Sequence, residues 1–354
     1  MDRLRAKVRV LQAAAAIALL ILAPGLASLP ALAQPGLSGS KFPALPTGQL
    51  SRANSLAVMS FNVEGLPAPA RFGRAASLGR IAQQLADLRK QGRQPNVVML
   101  QEAFAGPAKR IAEQAGYRYE AAGPFASEIN ASPPPPAAFE FVAATSHLKG
   151  EGDGKWLNSG LRILSDYPIE RVERMAFPHW ACAGYDCLAN KGAVIAWIRI
   201  PGIPQPVAFI DTHLNSRTAS GVAEARSDTA YAYQVAALRQ FIADRVPEHA
   251  VAFLGGDFNT GRAKVRWNDL GAGLLTQARN SLLDALATER AIARADRSNS
   301  QAILHRAKDW LFYRGNARLA VTLTGFEVPF GVQADGSSLS DHLGYEAHYR
   351  VGAV

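Results

Sequence analysis

The chain has 354 residues, 48% of them hydrophobic, enough for a large buried core in one long domain or two short ones. The composition excludes a coiled coil, a collagen repeat and a short-period solenoid. Of the +9 formal charge, Arg3, Arg5, Lys7 and Arg9 less Asp2 supply +3, leaving +6 to attract phosphate-bearing partners: nucleic acid, phospholipid or phosphorylated metabolites.

The first ten residues form a basic segment, followed by the apolar "LQAAAAIALLILAPGLASL". "PALAQ" then offers an Ala-x-Ala site at Ala31 and Ala33. Residues 1–33 therefore read as a bacterial-style secretory signal peptide, and the product as periplasmic or secreted. Residues 34–54 read as a flexible leader. No later apolar run is long enough to span a bilayer. No linker divides residues 55–354, so one domain is expected there, as a monomer.

"LAVMSFNV" (56–63) alternates and is rich in β-formers, which predicts a strand. Residues 74–93 place Ile81, Leu85 and Leu88 on one helical face. "NVVML" (96–100) is a short buried strand, and 110–117 a short helix. Pro133, Pro134, Pro135 and Pro136 force a polyproline-like loop. Strands follow at 160–165 and 167–177, the latter at a sheet edge. Residues 192–200 and 205–214 read as hairpin partners. A long amphipathic helix covers 223–246, and "AVAFLGGDFN" (250–259) is a buried strand entering a Gly-rich turn. Residues 267–293 read as helical, and strands at 308–314, 319–328 and 343–351 close the chain. Helices thus cover a mixed sheet or sheets.

Cys182 and Cys187 are the only cysteines. An even count in an exported chain favours a short-loop disulfide over a metal site. Polar residues recur at strand ends: Asn62, Glu102, Asn158, Asn190 and Lys191, then His213 and Asn215, Asp257 and Asn259, Asp309, Asp341 and His342. Carboxylate oxygens suit Mg²⁺, Mn²⁺ or Ca²⁺. Amides and a lysine suit phosphate oxygens, and two imidazoles suit a base and an acid on opposite sides of a displaced group.

The stretches "FNVEGLP", "VVMLQEAF", "NSGLRILSDYPI", "NKGAVIAWI", "DTHLNS", "LGGDFN", "KDWLFY" and "LSDH" resemble, in order, the motifs of the endonuclease/exonuclease/phosphatase superfamily. "DCLANKGAVIA" resembles its neutral, bacterial-type sphingomyelinase branch. The resemblance implies an α/β fold of two mixed β-sheets packed face to face, with helices outside and a catalytic site at one edge. It implies a metal ligand in Glu102, with Asn62 beside it and Asp341 approaching from the other side. His342 would be the general base, oriented by Asp309. His213 would stabilise the phosphoryl oxygens or protonate the leaving group, and Asp257 and Asn259 would position water and phosphate. Asn215, Lys191, Asn158 and Asn190 would contact the phosphate. The implied reaction is metal-dependent phosphodiester hydrolysis, most of all of a phospholipid at a membrane surface in the manner of sphingomyelinase C. A secreted nuclease and a phosphatase of inositol phosphates or similar metabolites are the alternatives. Haemolytic members of that branch carry an aromatic membrane-inserting hairpin between "GGDFN" and "SDH". Here "WNDLGAGLLTQARNSLLDALATERAIARADRSN" in that region reads as helical, with Trp267 as its only aromatic.

Overall fold

The computed structural model describes residues 54–354, apart from 69, 105, 272, 289–295 and 334. The expected signal peptide and nearly all of the leader lie outside the described residues. Among the described residues, no helix is long and apolar enough to cross a membrane.

Two six-stranded mixed sheets form the centre. The first is ordered β11(Leu319–Phe330), β12(Gly344–Ala353), β1(Ser55–Asn62), β2(Val97–Gln101), β4(Arg162–Ser165) and β3(Tyr119–Ala122). The second is ordered β5(Ile169–Ala176), β6(Gly192–Ile198), β7(Val207–His213), β8(Ala252–Asp257), β10(Asp309–Arg314) and β9(Arg279–Asn280). Alternation along the strands explains the layering. In β1, Leu56 and Val58 face the second sheet, whereas Met59 and Phe61 face outward. In β2, Val97 and Met99 point inward, and Val98 and Leu100 outward. The inner faces meet through Met99, Phe209, Phe253, Leu311 and Tyr349.

Helices cover both outer faces. α1(Arg74–Lys90) lays Leu78, Ile81 and Leu85 on the first sheet, beside the short α2(Gly106–Lys109) and α3(Ile111–Ala115). The long α5(Glu224–Arg245) lays Tyr231, Val235, Leu238 and Ile242 on the second. Between them in the chain, the prolines lead into a 3₁₀ turn and the short α4(Phe139–Ala143).

The expected edge strand is at an edge, and the expected hairpin is the antiparallel pair β6–β7. The stretch 267–293 is not one helical run. It contains the end of α6(Lys264–Leu270), the two-residue β9 and α7(Ser281–Ala287), and α8(Arg297–Arg306) follows. Gly271 and Gly273 break the pattern at positive φ. Neither β3, with only four residues, nor β9 carries enough alternation to be read from sequence. A disulfide joins Cys182 and Cys187.

Candidate active site

The pairing of the strands brings the polar ends together. β1 and β2 run parallel, so Asn62 and Gln101 end at the same edge of the first sheet. In the second sheet β7 and β8 are also parallel, and His213 pairs with Asp257. β10 runs antiparallel to β8, so its first residue, Asp309, also pairs with Asp257. β12 runs antiparallel to β1, which delivers Asp341 and His342 beside Asn62 just before the strand begins.

Asn62 links the sheets. Its Nδ2 donates to Glu102 Oε1 at 3.1 Å and to Asp257 Oδ2 at 3.0 Å, and its Oδ1 accepts the Glu64 N–H. His342 Nδ1 lies 2.7 and 2.8 Å from the two Asp309 oxygens. That contact places the ring proton on Nδ1 and turns Nε2 toward Asp257 Oδ2, 3.6 Å away. His213 Nε2 also lies 3.6 Å from that Asp257 oxygen. Lys191 Nζ donates to Asp186 Oδ2 at 2.8 Å, to His213 Nε2 at 3.1 Å and to the Leu214 carbonyl at 3.2 Å. Because lysine only donates, His213 Nε2 is an acceptor there.

These contacts drive the two imidazoles apart. Burial would lower His342, but the Asp309 and Asp257 carboxylates outweigh it and push the ring up to about 9. Burial and then the Lys191 charge push His213 down to about 3. Burial works to raise Asp257, yet His342, His213 and Lys308 hold it well below the usual carboxylate range. Glu102 is pushed up to about 7 by burial and by the charge of Asp341, which is exposed.

Close backbone approaches fix the loops. Glu102 and Asn259 have left-handed φ values of 55° and 48°, conformations costly for residues with a Cβ. The Gly65 N–H binds the Glu102 carbonyl at 3.0 Å, and a Cβ on Gly65 would lie 2.5 Å from that oxygen. A Cβ on Gly256, the residue before Asp257, would lie 2.1 Å from the Thr212 carbonyl oxygen. Ser340 Oγ donates to the Asn62 carbonyl and accepts the His342 N–H, which ties the Asp341–His342 turn to β1.

The sequence matches the model of the endonuclease/exonuclease/phosphatase family over residues 59–342. The chain belongs to that family. Its members are hydrolases of phosphoester bonds. No curated protein matches the sequence significantly. Among solved structures, a double mutant of beta toxin from Staphylococcus aureus with bound magnesium ions is 19% identical, with TM-score 0.52, covering 83% of this chain and 99% of that one. Sphingomyelinase C from Streptomyces griseocarneus is 19% identical, with TM-score 0.51 and the same coverage. D. rerio TDP2 complexed with a single-strand DNA product is 17% identical, with TM-score 0.53, covering 84% and 99%. At these identities the likeness establishes the two-sheet fold that this family member shares with them.

The donor set fits a hard divalent cation. Glu102, His213 and Asp257 offer ligand atoms within 4.8 Å of one another. Burial contributes most to the upward push on Glu102, and the further push from the Asp341 charge places two carboxylates together, which an oxygen-preferring cation would relieve.

Not every expected residue points into this cluster. Asn215 Oδ1 accepts the Ala183 N–H, and its Nδ2 donates to the Ser216 carbonyl. Asn190 Nδ2 donates to the Phe125 and Glu128 carbonyls. Asn259 Nδ2 donates to the Leu214 carbonyl. These three amides brace loops. Asn158 accepts the Ala126 N–H and lines a cavity of about 140 Å³ with Phe104, Phe125 and Trp156, which begins next to Glu102 at Ala103.

Sequence reasoning passes over several supports. Glu64 accepts the Asp341 N–H and forms ion pairs with Arg71 and Arg74. Arg74 also donates to the Val63, Glu64 and Leu339 carbonyls, clamping the two loops together. Gln101 Nε2 donates to Asp211 Oδ1 at 2.7 Å between the sheets, and burial holds the Asp211 carboxyl well above the usual range. Glu64 and Asp186 lie inside the quoted stretches. Gln101 also lies inside one of them, "VVMLQEAF", whereas Arg74 carries no sequence signal beyond its neighbours.

Proposed function

We propose that the protein is an exported, divalent-metal-dependent phosphodiesterase that hydrolyses a phospholipid phosphodiester as sphingomyelinase C does, by direct attack of water. The observation that supports this most is His342, held by Asp309 and aimed at Asp257 beside the Glu102–Asn62 pair. The Asn-Lys-Gly stretch before β6 and the likeness to sphingomyelinase C support the lipid substrate. The disulfide supports export through residues 1–33.

Glu102, with Asp257 within 4.8 Å of it and with Asn62 and Asp341 as further oxygen donors, would hold the cation; Mg²⁺ is the first candidate, with Mn²⁺ and Ca²⁺ as alternatives. Such a cation would supply positive charge for the phosphoryl oxygens and would work to lower His342 toward neutrality. His342 Nε2 takes a proton from water as the water oxygen bonds to phosphorus, while Asp309 fixes the opposite ring nitrogen. The P–O bond to the leaving alkoxide breaks as the P–O bond to water forms. Asp257 orients the water between the two imidazoles. The Lys191–His213 pair would protonate the leaving alkoxide, with Lys191 Nζ donating to His213 Nε2. The Lys191 charge, beside His213, would offset the negative charge that develops on the phosphorus oxygens.

The test is side-by-side hydrolysis of sphingomyelin vesicles, plasmid DNA and an inositol polyphosphate, with Mg²⁺ and with EDTA. Phosphocholine release that EDTA stops is the expected result. Metal-dependent cleavage of DNA or of the inositol polyphosphate instead would overturn the lipid assignment, and turnover undiminished in EDTA would overturn the metal.

A further inference from the structure

Arg266 on α6 is completely buried, where a guanidinium is rare unless it is paired. None of the family stretches contains it. Its Nη1 donates to the Asn215 carbonyl at 2.7 Å and to the Asn259 carbonyl at 2.8 Å. Its Nε donates to Asp228 Oδ1 at 2.7 Å, and its guanidinium lies 4.4 Å from the centre of the Tyr231 ring. Asp228 neutralises the charge and also receives Arg217. Tyr231 and Asp228 share one face of α5 with Gln234, whose Oε1 accepts the Asn215 N–H at 2.7 Å.

The position matters because the two carbonyls end the two halves of the site. Asn215 follows His213 by two residues, and Asn259 follows Asp257 by two. The β7–β8 ladder ends at the His213–Asp257 pair. Beyond it, the Leu214 N–H binds the Asp257 carbonyl, and Asn259 Nδ2 binds the Leu214 carbonyl. Arg266 is the next tie outward, and it grips Asn259 where the backbone is held at a left-handed φ of 48°. Such a conformation persists only where surrounding contacts enforce it.

We propose that Arg266 is a positioning residue for hydrolysis: one guanidinium nitrogen bridges the loop behind His213 to the loop behind Asp257 and sets their separation. This rests on the hydrolytic reading above. A role confined to neutralising Asp228 would be met equally well by a lysine. Bridging two carbonyls while still bonding Asp228 needs the planar, multi-donor guanidinium.

The experiment compares the full chain with Arg266→Lys and Arg266→Ala. It measures Mg²⁺-dependent hydrolysis of bis(p-nitrophenyl) phosphate, and hydrogen exchange at residues 214–216 and 258–260. In both variants kcat should fall ~10²-fold, the usual cost of slight misplacement, with KM changed less than about threefold. Added guanidinium ion should restore kcat of Arg266→Ala at least about tenfold, where equal ionic strength of sodium chloride should not. Exchange should quicken at the two loops and stay slow in β7 and β8. Wild-type kcat in Arg266→Lys would overturn the proposal, as would exchange that rises evenly across the second sheet. If Arg266→Ala does not fold, Arg266→Lys alone decides. Failure of the hydrolytic reading is distinguishable, because it would leave the unmutated chain without turnover while the exchange pattern still tests the bridge.

Discussion

Replacing Asp309 by Asn should lower both the basicity and the turnover supported by His342. Both carboxylate oxygens lie within 2.8 Å of Nδ1. Burial opposes the charge on this ring, yet Asp309, helped by Asp257, carries it from 6.5 up to about 9. That rise corresponds to about 3 kcal/mol favouring the imidazolium, and the carboxylates supply more than this because they also offset burial. An Asn amide removes the larger charge and leaves burial in place. The metal-free His342 pKa should therefore fall by at least about two units, read by NMR titration of the ring nitrogens in EDTA. Stability gives an independent check. A histidine raised on folding contributes fully below its unfolded pKa and loses the contribution as pH rises through the folded value. Between about pH 6.5 and 9, metal-free wild type should thus lose more stability than the variant does. With Mg²⁺, turnover should fall ~10²-fold or more, because the ring loses both its proton affinity and its fixed tautomer. A fall in the His342 pKa of less than about one unit would refute the reasoning.

Glu102→Gln should abolish metal-dependent hydrolysis and leave thermal unfolding of the metal-free protein unimpaired; calorimetry with Mg²⁺ and a melting curve check both parts. In the wild type, Glu102 is pushed up to about 7, so Mg²⁺ affinity should strengthen as pH rises toward 7 and level off above it. His342→Ala should cost at least ~10²-fold in kcat with sphingomyelin vesicles, and a smaller loss would place the base elsewhere. Glu346 on β12 is buried, with Oε1 lacking a hydrogen-bond partner, and burial and then Glu327 push it up to about 8. A carboxyl raised on folding loses its contribution as pH climbs from the unfolded value through the folded one. Glu346→Gln should therefore be close to neutral near pH 4 and stabilising by about 2 kcal/mol or more near pH 9 in urea unfolding.

Much of the central fold was legible because β1, β2, β7 and β8 are buried on both faces and read as short apolar runs ending in a polar residue. The hairpin β6–β7 and helix α5 were equally plain. Elements held by tertiary contacts were not. β3 is four residues long and is defined by pairing with β4, and β9 is two residues paired with β10. The residue types of the site could be read, but not the direction of their side chains. Asn190, Asn215 and Asn259 look like phosphate ligands in sequence, yet their amides satisfy backbone carbonyls and an N–H of neighbouring loops. Arg266 was silent for a different reason. A lone Arg on a mostly exposed short helix, with Leu270 as its other buried residue, gives no sign that it turns inward to cap two loops.

The arrangement explains why one small volume can hold two imidazoles with opposite tendencies. His342 and His213 each stand 3.6 Å from the same Asp257 oxygen, so Asp257 alone cannot separate them. The second neighbour of each ring does so. Asp309 adds a negative charge behind His342, and Lys191 adds a positive charge in front of His213. Those neighbours arrive by topology: Asp309 because β10 runs antiparallel to β8, and Lys191 because β6 begins beside the end of β7. Strand direction in the second sheet thus sets which ring can take a proton and which cannot. Exchanging the charges behind the rings, rather than the rings themselves, is the change that should reverse their roles.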